Sequence, residues 1–123
     1  MKKFLLKRVN SLYFACRGIF FFFEEGVHAK IHGITTVLVV FLSFYLRISR
    51  TEWLFIFLAC ALVLCIEAIN TALEKLTDIV SPNYSKQAEF VKDVAAGAVL
   101  IAVLFAVAIG LIIFLPKINL LFA

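Results

Sequence analysis

Between Val94 and Leu115 the chain runs for 22 residues without a charged side chain. About 20 apolar residues are what an α-helix uses to cross the ~30 Å hydrocarbon layer of a bilayer, where backbone N–H and C=O groups must be bonded within the segment itself. This run is a membrane span, and everything else in the chain has to be read with a membrane beside it.

Two further segments follow the same logic. Ile31 to Leu46 is free of acids, Lys and Arg, and it reaches across if Lys30 or His32 lies at the interface. Arg47, Ser49, Arg50 and Thr51 then form a polar turn, and Trp53 sits where an interfacial aromatic belongs. From Trp53 the chain is uncharged to Ile66, and the helical pattern continues until Ser81-Pro82-Asn83 stops it. Upstream, Leu5, Val9, Leu12, Cys16, Phe20 and Phe23 recur at intervals of three and four, which predicts an amphipathic helix on the membrane surface.

The expected fold is therefore an all-α membrane protein with a single domain over residues 1–123. Its parts are a surface helix at 4–25 and helices at 31–46, 53–80 and 94–115 that span or leave the membrane. Composition agrees: 64% of residues are hydrophobic and mean hydropathy is +1.08, against roughly 45–50% apolar residues in soluble domains. Three spans make a bundle too thin to enclose a sizeable site, so self-association is expected. The stripe Ala98, Ala102, Ala106 and Gly110 suits close helix contact either within a chain or between chains.

The formal charge is +4. Because the cations border apolar segments, they point to anionic lipid headgroups, and no nucleic-acid module is present. Nine of the 12 Lys and Arg lie in the N-terminal region and the 75–92 segment, leaving Arg47, Arg50 and Lys117 for the other side. The positive-inside rule puts the N-terminus and the 75–92 segment in the cytoplasm. Cys16, Cys60 and Cys65 have no ligand spacing and read as packing residues. The basic N-terminus carries no small-residue cleavage pattern, so a cleaved signal peptide is not expected.

Chemistry concentrates where the second span ends. At 100° per residue Glu67, Asn70, Glu74 and Asp78 share a face about 80° wide. Charges at membrane depth cost several kcal/mol and usually face a partner, cavity or pathway. Lys92-Asp93, just before the third span, can pair with that face, and Glu24 and Glu25 could join Glu74 around a divalent cation. His28 and His32 are one helical turn apart but have no third ligand, which argues against zinc. No phosphate loop or protein-kinase catalytic loop occurs. On residues alone, proton transport, cation conduction, phosphoryl transfer and a structural role in a larger membrane complex all stay open.

The stretch Glu67 to Glu74 reads ExxNTAxE, and Lys92-Asp93-Val94-Ala95-Ala96-Gly97 follows after 17 residues. This combination closely resembles the prokaryotic diacylglycerol kinase family, which includes undecaprenol kinases, and the likeness covers nearly the whole chain. The resemblance implies a homotrimeric bundle with active sites between subunits, on the cytoplasmic face of a prokaryotic inner membrane. It implies phosphorylation of a lipid alcohol by ATP with Mg²⁺, diacylglycerol first and undecaprenol as the alternative acceptor. The alternative from another class is a small oligomeric proton or cation transporter.

By matching positions, the resemblance makes Glu67 the general base, with Asn70 beside it. Glu74 and one glutamate of the 24–25 pair, Glu25 in the first place, would hold the metal. Arg8, Phe14, Glu25, Glu74, Asn83, Tyr84, Ser85, Lys92 and Asp93 would line the nucleotide site, while Glu67 and Lys30 would meet the lipid. Phe14 stands at a tyrosine position of the family, without the hydroxyl.

Overall fold

A computed structural model describes residues 2–121; residues 1, 122 and 123, and the side chains of Lys2, Lys3 and Leu5, lie outside the described set. Four helices follow in order: α1 (Lys2–Glu25), α2 (Val27–Tyr45), α3 (Arg50–Val80) and α4 (Lys86–Leu121). The last three are each long and apolar enough to cross a membrane. At 1.5 Å per residue, the 31 residues of α3 span about 46 Å against a hydrocarbon layer of ~30 Å. α3 therefore extends beyond the lipid, and its C-terminal half carries three of its four acids, Glu67, Glu74 and Asp78.

Packing runs in sequence. α4 lies against α3 along its length, α3 also meets α2, and α1 rests on α2. The corner between α1 and α2 is a single extended residue, Gly26, at φ −87° and ψ 114°. A Cβ there would stand 2.9 Å from the Ala29 Cβ and 3.1 Å from the Phe22 carbonyl oxygen, so the turn has no room for a side chain. Phe23 then lies over Gly33, holding the end of α1 against α2.

The α2–α3 turn is a Schellman closure. The Arg47 N–H donates to the Phe44 carbonyl and the Ile48 N–H to the Ser43 carbonyl, both at 3.2 Å. This puts Arg47 in the left-handed region at φ 49°, a position usually given to glycine. Ser49 and Glu52 form a reciprocal capping box that starts α3. Ile48, Ile56, Ile113 and Phe114 close this end of the bundle as a buried apolar cluster.

One element, α4, exceeds its expected limits at both ends. α4 begins at Lys86, eight residues before Val94, because Ser85 caps it: its Oγ accepts from the Ala88 N–H at 3.1 Å. The connection between the helices expected at 53–80 and 94–115 is correspondingly shorter. At the other end Pro116 does not terminate α4, which continues to Leu121. Proline removes one helical hydrogen bond, but Ile118 packs on the apolar cluster and Lys117 bonds Glu52 at 3.2 Å, which keep the next turn in place.

Arg47→Gly should raise the midpoint of thermal unfolding in detergent, by up to about 1 kcal/mol in stability. The left-handed penalty of roughly 1–2 kcal/mol is relieved, less the roughly 0.5–1 kcal/mol of extra chain entropy that glycine brings. Arg47→Val should lower the midpoint.

Candidate functional site

Two ion pairs fix how α3 lies on α4. Asp78 accepts from Lys92 near one end, and Glu52 bonds Lys117 near the other. In an antiparallel pair each step up α3 is a step down α4, so this register sets Glu67 and Asn70 opposite the stretch Val99 to Ala102. Val99 and Ala102 are themselves buried there, and Ala102 of the small-residue stripe thus packs within the chain, while Ala98 stays exposed.

Burial along the acidic stripe is graded. Glu67 is 4% exposed and Asn70 6%, Glu74 is half-buried, and Asp78 is exposed. The stripe thus passes from dry packing to open solvent over three turns of one helix. The Asn70 Nδ2 donates to the Glu74 Oε1 at 3.1 Å. Because a carboxylate only accepts, this bond fixes the amide orientation and points its oxygen elsewhere. That oxygen, Asn70 Oδ1, is buried without a partner. An unsatisfied buried acceptor costs about 1–3 kcal/mol, and native structures keep few of them unless a ligand or function uses them.

Beyond the end of α3, Asn83, Tyr84, Ser85 and Lys92 line one open depression of about 220 Å³ together with Asp78 and Glu89. Ser81 Oγ lies 3.1 Å from the Asn83 carbonyl oxygen and 3.2 Å from Ser85 Oγ, which folds the loop back on itself. The Tyr84 hydroxyl donates to Glu89 at 2.7 Å. That bond, with desolvation and the charge of Asp93 behind it, pushes the phenol above its ordinary pKa. Tyr84 stays a neutral donor throughout the physiological range.

Glu25 ends α1 against Lys75, the residue after Glu74. Gly18, Phe22, Glu25, Thr71 and Lys75 border a cavity of about 380 Å³ between α1 and α3. Among the described residues no three His, Cys, Asp or Glu side chains gather closely enough to bind a metal unaided. Arg8 stacks over Phe4 at 5.1 Å and Phe14 packs edge-on to Tyr13, all within exposed α1, and Lys30 is exposed on α2. One chain therefore assembles the stripe and the loop depression and brings the end of α1 to Lys75, while among the described residues no hydrogen bond or ion pair joins Arg8, Phe14 or Lys30 to them.

Sequence reasoning missed Lys75 and Glu89 as partners, whereas the expected pairing of Lys92 with the acidic face is met at Asp78. The missed pairs carry weak local signals. Lys75 meets a residue 50 positions earlier, and Tyr84 and Glu89 lie on either side of a helix start that the sequence reading set too late.

The fold and site define a multi-pass membrane bundle in which a buried carboxylate and amide lie on the same helix face as a polar, lysine-bearing loop end. The comparison with known proteins names the class. Residues 13–114 match the prokaryotic diacylglycerol kinase family. The chain is 33% identical over 108 residues to the undecaprenol kinase of Bacillus subtilis, covering 88% of each chain. It is 35% identical over 107 residues to the diacylglycerol kinase of Synechocystis, covering 86% of this chain and 61% of that one. A diacylglycerol kinase of Helicobacter pylori is 33% identical over 82 residues, or 67% of this chain and 63% of the relative. The protein belongs to the prokaryotic diacylglycerol kinase family. It is a lipid kinase, which decides between the enzyme and transporter readings.

Because the Lys92–Asp78 pair is 39% and 62% exposed, it should contribute little to stability. A double-mutant cycle with Asp78→Asn and Lys92→Met should return a coupling energy below about 1 kcal/mol by denaturation. A Lys92 substitution that abolished turnover would then be acting on the reaction rather than on the fold.

Proposed function

We propose that this protein transfers the γ-phosphate of ATP to the hydroxyl of a membrane lipid alcohol, with diacylglycerol as acceptor and phosphatidic acid as product. The observation that carries the reading is the buried pair Glu67 and Asn70, with the Asn70 Oδ1 lacking a partner where α3 leaves the lipid. Glu67 takes the proton of the lipid hydroxyl as its oxygen attacks the γ-phosphorus and ADP departs. Asn70 holds the Glu74 carboxylate in place through Nδ2. Lys92, Asn83, Tyr84 and Ser85 hold the nucleotide in the loop depression, and Asp93 orients Lys92 or meets the nucleotide.

The donor chemistry suits Mg²⁺, which takes one or two carboxylates together with substrate phosphates. Glu74 and Glu25 would hold it, Glu25 exchanging Lys75 for the cation. Bound with ATP, Mg²⁺ would neutralise phosphate charge, the main requirement of phosphoryl transfer. The unassembled positions Arg8, Phe14 and Lys30 support a homotrimer in which a neighbouring chain completes each site. Charge asymmetry supports a cytoplasmic site on a prokaryotic inner membrane.

A second acceptor, undecaprenol, is favoured by the Bacillus relative of that name, which is matched over 88% of both chains. Both lipids reach the site through the bilayer and expose only a hydroxyl. Radiolabelled transfer from ATP to each lipid decides between them, and no transfer to either lipid by an active oligomeric preparation would refute the proposal. Glu67→Gln should lower turnover by about 10²–10⁴-fold. Glu74→Gln should also lower it and raise the magnesium concentration needed for half-maximal rate. Near-native turnover by Glu67→Gln would remove it as the base.

A further inference from the structure

At the end of the bundle opposite the acidic stripe, the α2–α3 turn and the last turns of α4 border an open cavity of about 490 Å³, lined by Tyr45, Leu46, Arg47, Lys117, Leu120 and Leu121. We propose that this cavity binds the headgroup of an anionic phospholipid in the leaflet opposite the kinase site.

Three features of the cavity point to that ligand. The first is charge: among the described residues this end carries Arg47, Arg50 and Lys117 against the side-chain carboxylate of Glu52, which Lys117 bonds at 3.2 Å. Arg47 has no ion pair among the described residues. The second is backbone strain. Arg47 holds a left-handed conformation at φ 49°, where glycine would sit without penalty. A long cation at a position that disfavours any side chain is an outlier that a ligand contact accounts for. The third is the wall. Leu120 and Leu121 are 77% and 58% exposed beside these cations, with Tyr45 at the same level.

Cations against leucines at a membrane interface complement a phosphate above its acyl chains. A soluble anion would make no use of the leucines, and a metal cation would be repelled by Arg47 and Lys117. The proposal does not depend on the kinase reading, because it concerns the other membrane face.

The protein carries its own reporter. Trp53 is its one tryptophan, and its ring lies 4.7 Å from that of Phe44, one residue before Tyr45. The full chain would be reconstituted in phosphatidylcholine vesicles containing phosphatidylglycerol, with the bromines on either lipid, and quenching of Trp53 measured at equal mole fraction. Brominated phosphatidylglycerol should quench as though enriched about fivefold or more around Trp53, given the usual strength of one interfacial cation acting on anionic lipid. Arg47→Gly combined with Lys117→Gln should reduce the enrichment to less than about twofold. These replacements suit the left-handed turn and keep a donor for Glu52, and Arg47→Lys should retain the effect. Equal quenching by both lipids, or enrichment that survives in the double variant, would overturn the proposal. So would a change of Trp53 fluorescence with inorganic phosphate in vesicles of phosphatidylcholine alone, together with no enrichment of brominated phosphatidylglycerol, which would identify a free-phosphate site instead.

Discussion

The antiparallel contact of α3 with α4 decides where every polar group of the molecule falls. Helices in lipid gain no hydrophobic free energy by touching each other, so close fit and polar pairing must hold them together. Here the fit comes from small and aliphatic residues, Ala95, Val99 and Ala102 toward one end and Ile56, Ile113 and Phe114 toward the other. Lys92 on Asp78 and Lys117 on Glu52 mark the two ends. Exposed ion pairs contribute at most about 1 kcal/mol each, so packing supplies the adhesion and the charges select the register. A slip of one residue would turn each side chain by about 100° and carry Glu67 and Asn70 off the shared face.

That register has a cost at its centre. Asn70 satisfies Glu74 with one end of its amide and leaves the other buried without a partner. The loss, about 1–3 kcal/mol, exceeds what the Lys92–Asp78 pair can return. The bundle is therefore least content where a phosphoryl acceptor would have to enter, and most settled at the far apolar cluster. The buried apolar cluster and the unsatisfied amide oxygen thus lie toward opposite ends of the same two helices.

The spans and the acidic stripe were legible because both follow from periodicity. Val94 to Leu115 announces itself by length, and Glu67, Asn70, Glu74 and Asp78 fall on one face at any reasonable helical pitch. Helix limits were less readable. Pro116 is an ordinary stop signal, yet tertiary contacts of Lys117 and Ile118 carry α4 past it. The start at Lys86 depended on a serine cap among residues read as loop. Contacts remote in sequence, such as Glu25 with Lys75, leave no local pattern at all. Arg8 and Phe14 were reached only through family likeness, and within one chain they touch other parts of α1.

Gly26 bears on the geometry of the whole N-terminal arm. With one extended residue between two helices, and Phe23 lodged over Gly33, α1 has no slack with which to choose its own roll. Adding or removing a residue at that corner would rotate α1 by about 100° about its axis. Such a roll would turn the apolar stripe that includes Val9, Leu12 and Cys16 away from the side it now occupies. The connector works as a key cut to a single length, so divergence in this arm is free to change which side chains it carries but not how many residues join it to α2.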